Sequence, residues 1–269
     1  MPSRRFASIF PTRLALRYAI LNQHSPNAEP PTPPPSNLAL AARAGRLLVR
    51  RWPLYAAVSA AALAIQTAVH YALHAVVADA VTTLLVGPVI VAITNVNVAA
   101  DSALGNGSDE PGWPARWERV LERLWAVIAI DSIISLLWPV GAGGAASGAG
   151  FGMLLLDALV LAFLATLFFA DVYACVEPDR PALTLVPLAF ARSTLLSWQN
   201  LPRVMVLLAA QLALALVVLE IDAATKASPA GLVDYWTSAA VFTLAAAPVA
   251  AWTTTIYLYC VARERETMR

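Results

Sequence analysis

Long apolar runs dominate this chain and are separated by short segments in which arginines gather. Five stretches are nearly free of charge: 53–100, 124–157, 158–176, 204–221 and 235–262. About 20 apolar residues in a helix cross a hydrocarbon layer of about 30 Å. The first stretch is long enough for two crossings, with Asp79 near the turn between them. Residues 124–176 also suit two crossings, divided by the Gly- and Ala-rich segment 141–150. The last two stretches supply one each. The pattern predicts spans over 53–77, 81–100, 124–140, 151–175, 204–221 and 235–261.

Three shorter segments show a different periodicity, apolar on one side and charged on the other. Residues 37–52 set Leu38, Leu40, Leu47 and Leu48 against Arg43, Arg46, Arg50 and Arg51. Residues 114–123 set Trp117, Val120 and Leu121 against Arg116, Glu118, Arg119, Glu122 and Arg123. Residues 187–200 place Leu188, Phe190, Leu195 and Trp198 around Arg192. Helices of this kind lie in the headgroup plane with the apolar face down, a depth that tryptophan favours. Trp52, Trp125 and Trp198 recur every 73 residues. The predicted fold class is therefore all-α: a polytopic transmembrane bundle of six helices, built as three hairpins, each preceded by a cytoplasmic interfacial amphipathic helix. Residues 1–36 form a basic, Pro-rich tail of disordered character, and 37–269 form the membrane domain.

Composition agrees with this reading. Of 269 residues, 59% are hydrophobic and 13% charged, where a soluble domain carries about 25% charged residues. The net charge is +1, so no bulk basic field points to nucleic acid. Placement of the charges carries more information than their sum. Eight arginines precede residue 52, followed by Arg116, Arg119 and Arg123, then Arg180, Arg192 and Arg203, then Arg263, Arg265 and Arg269. With the N-terminus inside, every one of these falls on the inner side, and Lys226 alone falls outside. Positive charge resists translocation during insertion. Six spans with both termini cytoplasmic, in a bacterial inner membrane, satisfy that asymmetry loop by loop. The acid-free N-terminal segment with Arg4, Arg5, Arg13 and Arg17 also resembles a mitochondrial transit peptide, although no processing site accompanies it. Cys175 and Cys260 close apolar runs on the reducing side, which argues against a disulfide.

A few polar residues fall inside the predicted spans. His70 and His74 share one face of the first span, and imidazoles four apart can share a metal or relay a proton. Without a third donor, the blander reading is a neutral pair bonded to neighbouring helices. Asp131 falls near mid-depth of the third span beside Ser132 and Ser135. A carboxyl there costs about 2.5–3.5 kcal/mol to insert, so it should face the bundle or water. Asp157 in the fourth span is placed to approach His70 or His74. Asp171, Glu220 and Asp222 are expected at the interfaces, and Gly87–Pro88 and Pro248 are expected to kink their helices. No phosphate-binding loop, zinc spacing or catalytic triad stands out, and the residues call for no metal and no cofactor.

Residues 190–204, following Val176–Glu177, together with 255–266, resemble a six-helix integral membrane family that includes the membrane domain of glycerophosphoryl diester phosphodiesterases. In that family an acid after the fourth span precedes an interfacial Arg-Ser helix, and the last span ends in paired tyrosines and mixed charges. The resemblance covers about 38–266 in layout, with Thr194 standing where tryptophan is usual and Cys260 where an acid is common. It implies inner-face roles for Arg192, Ser193, Trp198, Arg203, Arg263 and Arg265. The family's catalytic unit is a separate soluble domain, so the resemblance implies architecture and not activity. The expected function is a non-enzymatic scaffold or accessory protein at the inner face, in contact with the lipid bilayer and with a membrane protein partner or a second copy. The alternative is a small transporter or channel subunit using Asp131 and Asp157 with His70 and His74.

Overall fold

A computed structural model describes residues 34–72, 81–104, 112–146, 151–177, 182–226 and 231–267. Those residues are helical apart from caps and turns, with no strand among them. Helix α1 spans Asn37–Arg50 and α2 Trp52–Ala72. A π turn, Thr82–Val86, leads into α3, Gly87–Leu104. Then come α4 (Trp113–Ala146), α5 (Phe151–Thr166), α6 (Ala170–Val176), α7 (Ala182–Gln199), α8 (Leu201–Lys226) and α9 (Gly231–Thr267). Among the described residues, four segments are long and apolar enough to cross a membrane: Trp52–Ala72, Leu84–Ala103, Leu159–Val176 and Thr243–Glu266. These overlap the first, second, fourth and sixth predicted spans, with ends that differ by one to eight residues.

The starts of the helices follow from proline chemistry. Pro53, Pro114 and Pro202 each occupy the second position of α2, α4 and α8. There the missing N–H has no intrahelical acceptor to lose and the fixed φ suits the first turn. At the head of α1 the Ser36 hydroxyl accepts the Ala39 N–H at 3.1 Å, an ordinary N-cap. Single-residue breaks at Arg51 and Asn200 separate α1 from α2 and α7 from α8. The middle unit differs. Residues 114–123 are not a separate surface helix but the first turns of the continuous α4, because nothing between Arg123 and Leu124 breaks the ladder.

The Gly87–Pro88 expectation of a disturbed helix is met by the π turn immediately before it. Pro88 removes one rung and crowds the preceding turn, and a widened turn absorbs both effects. The fourth predicted span is not one helix. It breaks at 167–169 into α5 and α6, with no glycine or proline at the break.

Helix α3 sits at the centre, packed against α4, α6 and α9. Residues 92–98 are buried without interruption, all around the helix. Two-thirds of its apolar window is enclosed (67%), against 17% for α2, so α2 presents most of its surface to lipid. Leu40 of α1 packs into a cluster with Phe169, Leu196, Val204, Leu207, Ile256 and Tyr257, which ties α1 and α7 to α8 and α9. The turn expected at Asp79 lies outside the described residues.

Candidate functional site

Polar side chains concentrate at the ends of helices that carry the arginines. The densest group surrounds Asp101, near the end of α3. Its carboxylate takes Nε and Nη2 of Arg51 at 2.7 and 2.9 Å, and Nη2 of Arg116 at 2.8 Å. Arg116 also donates to the side-chain Oδ1 of Asn97 at 3.0 Å. The side chains of Asp101 and Arg116 are each 2% exposed. One buried carboxylate thus joins the α1–α2 junction, α3 and α4, and its two cations give the group a net positive charge. Breaking such a group is costly because the remaining charges stay desolvated.

A second group forms where α5 breaks from α6. The Ser193 hydroxyl of α7 donates to the Thr166 carbonyl at 2.7 Å and accepts the Phe169 N–H at 3.0 Å. Ser197 adds a longer bond to the same carbonyl, 3.2 Å. An interrupted helix at membrane depth persists only where neighbours bond the freed backbone groups, and here two serines of a surface helix do so. Arg119 of α4 holds the other end of α6, donating to the carbonyls of Cys175 at 3.2 Å and Glu177 at 2.5 Å. The Tyr257 hydroxyl donates to the Glu177 carboxylate at 3.1 Å.

Around these groups lie the residues that the sequence assigned to an inner face. Arg192 makes two hydrogen bonds to the Glu264 carboxylate, one of 2.8 Å, joining α7 to the end of α9. Those bonds, above all, push the Arg192 guanidinium pKa up from its ordinary value. Arg203 donates to Asn37 Oδ1 at 3.1 Å and to the Pro35 carbonyl at 3.0 Å, and stands 4.5 Å over the Tyr259 ring. Trp198 and Arg263 are exposed, and Arg265 is half-buried.

The third group lies deeper. Asp131 of α4 and Asp171 of α6 are near neighbours, both partly buried. Asp171 follows the break at 167–169, in the first turn of α6. Its Oδ1 is buried with no hydrogen-bond partner. One turn on, Cys175 is buried beside it, with the Asn95 amide of α3 against the thiol. The Asn95 oxygen accepts from Thr254 of α9 at 2.7 Å. Asp131 thus meets Asp171 rather than standing alone. His70 lies on α2 with its ring 6.0 Å from that of Tyr71. His74, and the side chain of Asp157, lie outside what is described.

Asp101, Asn95, Asp171 and Thr254 were not singled out as one site by the sequence. Asp101 and Asp171 each fall near the end of an apolar run, where a carboxyl reads as headgroup-facing. Their partners come from other helices, and no local pattern reports that. Among the described residues, no group of three or more His, Cys, Asp or Glu side chains is placed to hold a metal. Compared with family models, with characterised proteins and with solved structures, the chain matches none.

Proposed function

We propose that this chain is a six-span protein of the bacterial inner membrane, with three hairpins and both termini in the cytoplasm. On this reading it is a non-enzymatic scaffold that holds anionic lipid at its inner face. The observation that carries the proposal is the division of labour among the arginines. Arg51, Arg116, Arg119, Arg192 and Arg203 are turned to partners within the fold. Arg43, Arg46 and Arg50 are exposed along α1. Their spacing puts them on one stripe of the helix, while Leu40 and Ala44 of the same helix are buried against the bundle.

A helix pinned to the bundle by its apolar side, with three cations facing outward, suits the phosphates of an anionic leaflet. Each cation near such a surface contributes about 1 kcal/mol. The family resemblance in residues 190–204 and 255–266 supports the same architecture without implying an activity. The fixed inner ends favour a rigid body over a gate that opens there.

The test is lipid retention. The full chain is placed in nanodiscs of mixed phosphatidylglycerol and phosphatidylcholine, released, and weighed by native mass spectrometry. Wild type should keep phosphatidylglycerol in preference, and R43Q/R46Q/R50Q should lose that preference, by about a hundredfold if three contacts of this size vanish. Equal retention of both lipids by wild type would remove the reading.

A further inference from the structure

We propose that an exposed ridge on the first turns of α4, made of Trp113, Trp117, Leu121 and Trp125, is the docking surface for the arginine-rich segment 1–27 of the same chain. This goes beyond the lipid-scaffold reading and draws on a different set of arginines.

The surface follows from how α4 divides its residues. Trp113, Trp117, Leu121 and Trp125 recur every four positions, so they share one ridge of the helix, about 18 Å long. All four are exposed, between 41% and 72%. On the other side Arg116 and Arg123 are buried, together with Val120 and Val127. The cations of this segment thus point into the fold and its tryptophans point away from it. The Trp113 and Trp117 rings stack, with centroids 6.2 Å apart, so the ridge opens on an ordered aromatic pair. Beside the ridge, Glu118 and Glu122 are exposed one turn apart. Between 112 and 125 the exposed residues therefore carry two acids and no Lys or Arg.

That combination selects its occupant. Glu118 and Glu122 repel an anionic leaflet, and a row of indoles left in water marks a surface that is covered in use. A guanidinium answers both features, since it stacks on an indole face and pairs with a carboxylate beside it. Residues 1–27 hold Arg4, Arg5, Arg13 and Arg17 and no acid, with Phe6 and Phe10 between them.

The segment is rooted at the correct end of the bundle, whichever way the chain is inserted. Arg119 of α4 and Tyr257 of α9 both reach Glu177, so the start of α4 and the end of α9 lie together. Arg203, stacked on Tyr259 of α9, holds the Pro35 carbonyl at that same end. A chain of 33 residues ahead of Pro34 can extend to about 100 Å, far enough to cross the end of a bundle whose helices pack about 8–10 Å apart. Tethering also keeps the segment at high local concentration, so contacts that are weak one by one suffice.

The experiment is photo-crosslinking of the full chain in lipid nanodiscs, with benzoylphenylalanine in place of Leu121 and peptide mass spectrometry of the products. The expected product is a link from position 121 to residues 1–27 in protein that runs as a monomer on a denaturing gel. E118Q/E122Q should lower its yield several-fold, and so should raising the salt from about 0.1 M to about 1 M. Both acids are exposed, so that variant leaves the fold in place. The reverse probe, benzoylphenylalanine in place of Phe10, should label 113–125, and it decides the question if the first protein does not assemble. Links from position 121 to lipid or to residues 37–269 without any to 1–27 overturn the proposal. So do links to 1–27 found only between two copies, or a yield that E118Q/E122Q leaves unchanged.

Discussion

The Ser193 hydroxyl donates to the Thr166 carbonyl at 2.7 Å, across a sequence separation of 27 residues, and so repairs a break in another helix. The same oxygen accepts the Phe169 N–H. Ser193 is fully buried. Leu196 and Phe169 pack in the same cluster, so the serines arrive at the break on a helix already anchored there.

Replacing Ser193 by alanine should therefore cost more than one ordinary hydrogen bond. It strands the Phe169 N–H in an apolar setting, at about 1–3 kcal/mol. Ser197→Ala should cost less, because its bond is longer and Ser193 still serves Thr166. Unfolding midpoints of the two variants in mild detergent check the order. Equal midpoints for wild type and S193A would mean the break is held by packing alone.

Asp101→Ala should destabilise by about 3–5 kcal/mol, since it removes the buried carboxylate that Arg116 and Arg51 share. The paired change Asp101→Leu with Arg116→Met should cost less than Asp101→Ala, because removing both charges removes the desolvation they suffer. Denaturant titrations of the three proteins give the comparison. A double variant as unstable as the single one would contradict this account of the group.

Arg192 and Glu264 should show a coupling of about 0.5–3 kcal/mol in a double-mutant cycle. The charge swap R192E/E264R should recover stability that R192E loses. The Arg192 side chain is 29% exposed, so the coupling should shrink as salt is raised. A cycle without coupling, or one indifferent to salt, would place the joint between α7 and α9 in packing.

Much of the fold could be read from the chain before the structure. Apolar runs located the four membrane-length segments, because length and hydropathy are local quantities. The α1 pattern was legible for the same reason, since Leu40 and Ala44, which are buried, share one face of a short helix on which Arg43, Arg46 and Arg50 are exposed. The continuity of α4 was less legible, because an amphipathic start followed by an apolar run looks the same whether or not the ladder breaks between them. The gap between α5 and α6 was invisible. Nothing in Leu167, Phe168 and Phe169 disfavours a helix, and the partner that stabilises the break arrives from α7. The carboxyl pair was half visible. Asp131 stood out as a charge within a span, but Asp171 lies near the end of its apolar run, and its neighbour comes from another helix.

One measurement bears most directly on the arrangement proposed here, with every arginine-rich segment on the cytoplasmic side. Single cysteines are introduced by A39C, K226C and E266C into a chain with Cys175 and Cys260 replaced, and intact cells are treated with a membrane-impermeant thiol reagent. The account predicts labelling at position 226 from outside, and labelling at 39 and 266 only after the cells are opened. Reaction at 39 or 266 in intact cells would contradict it.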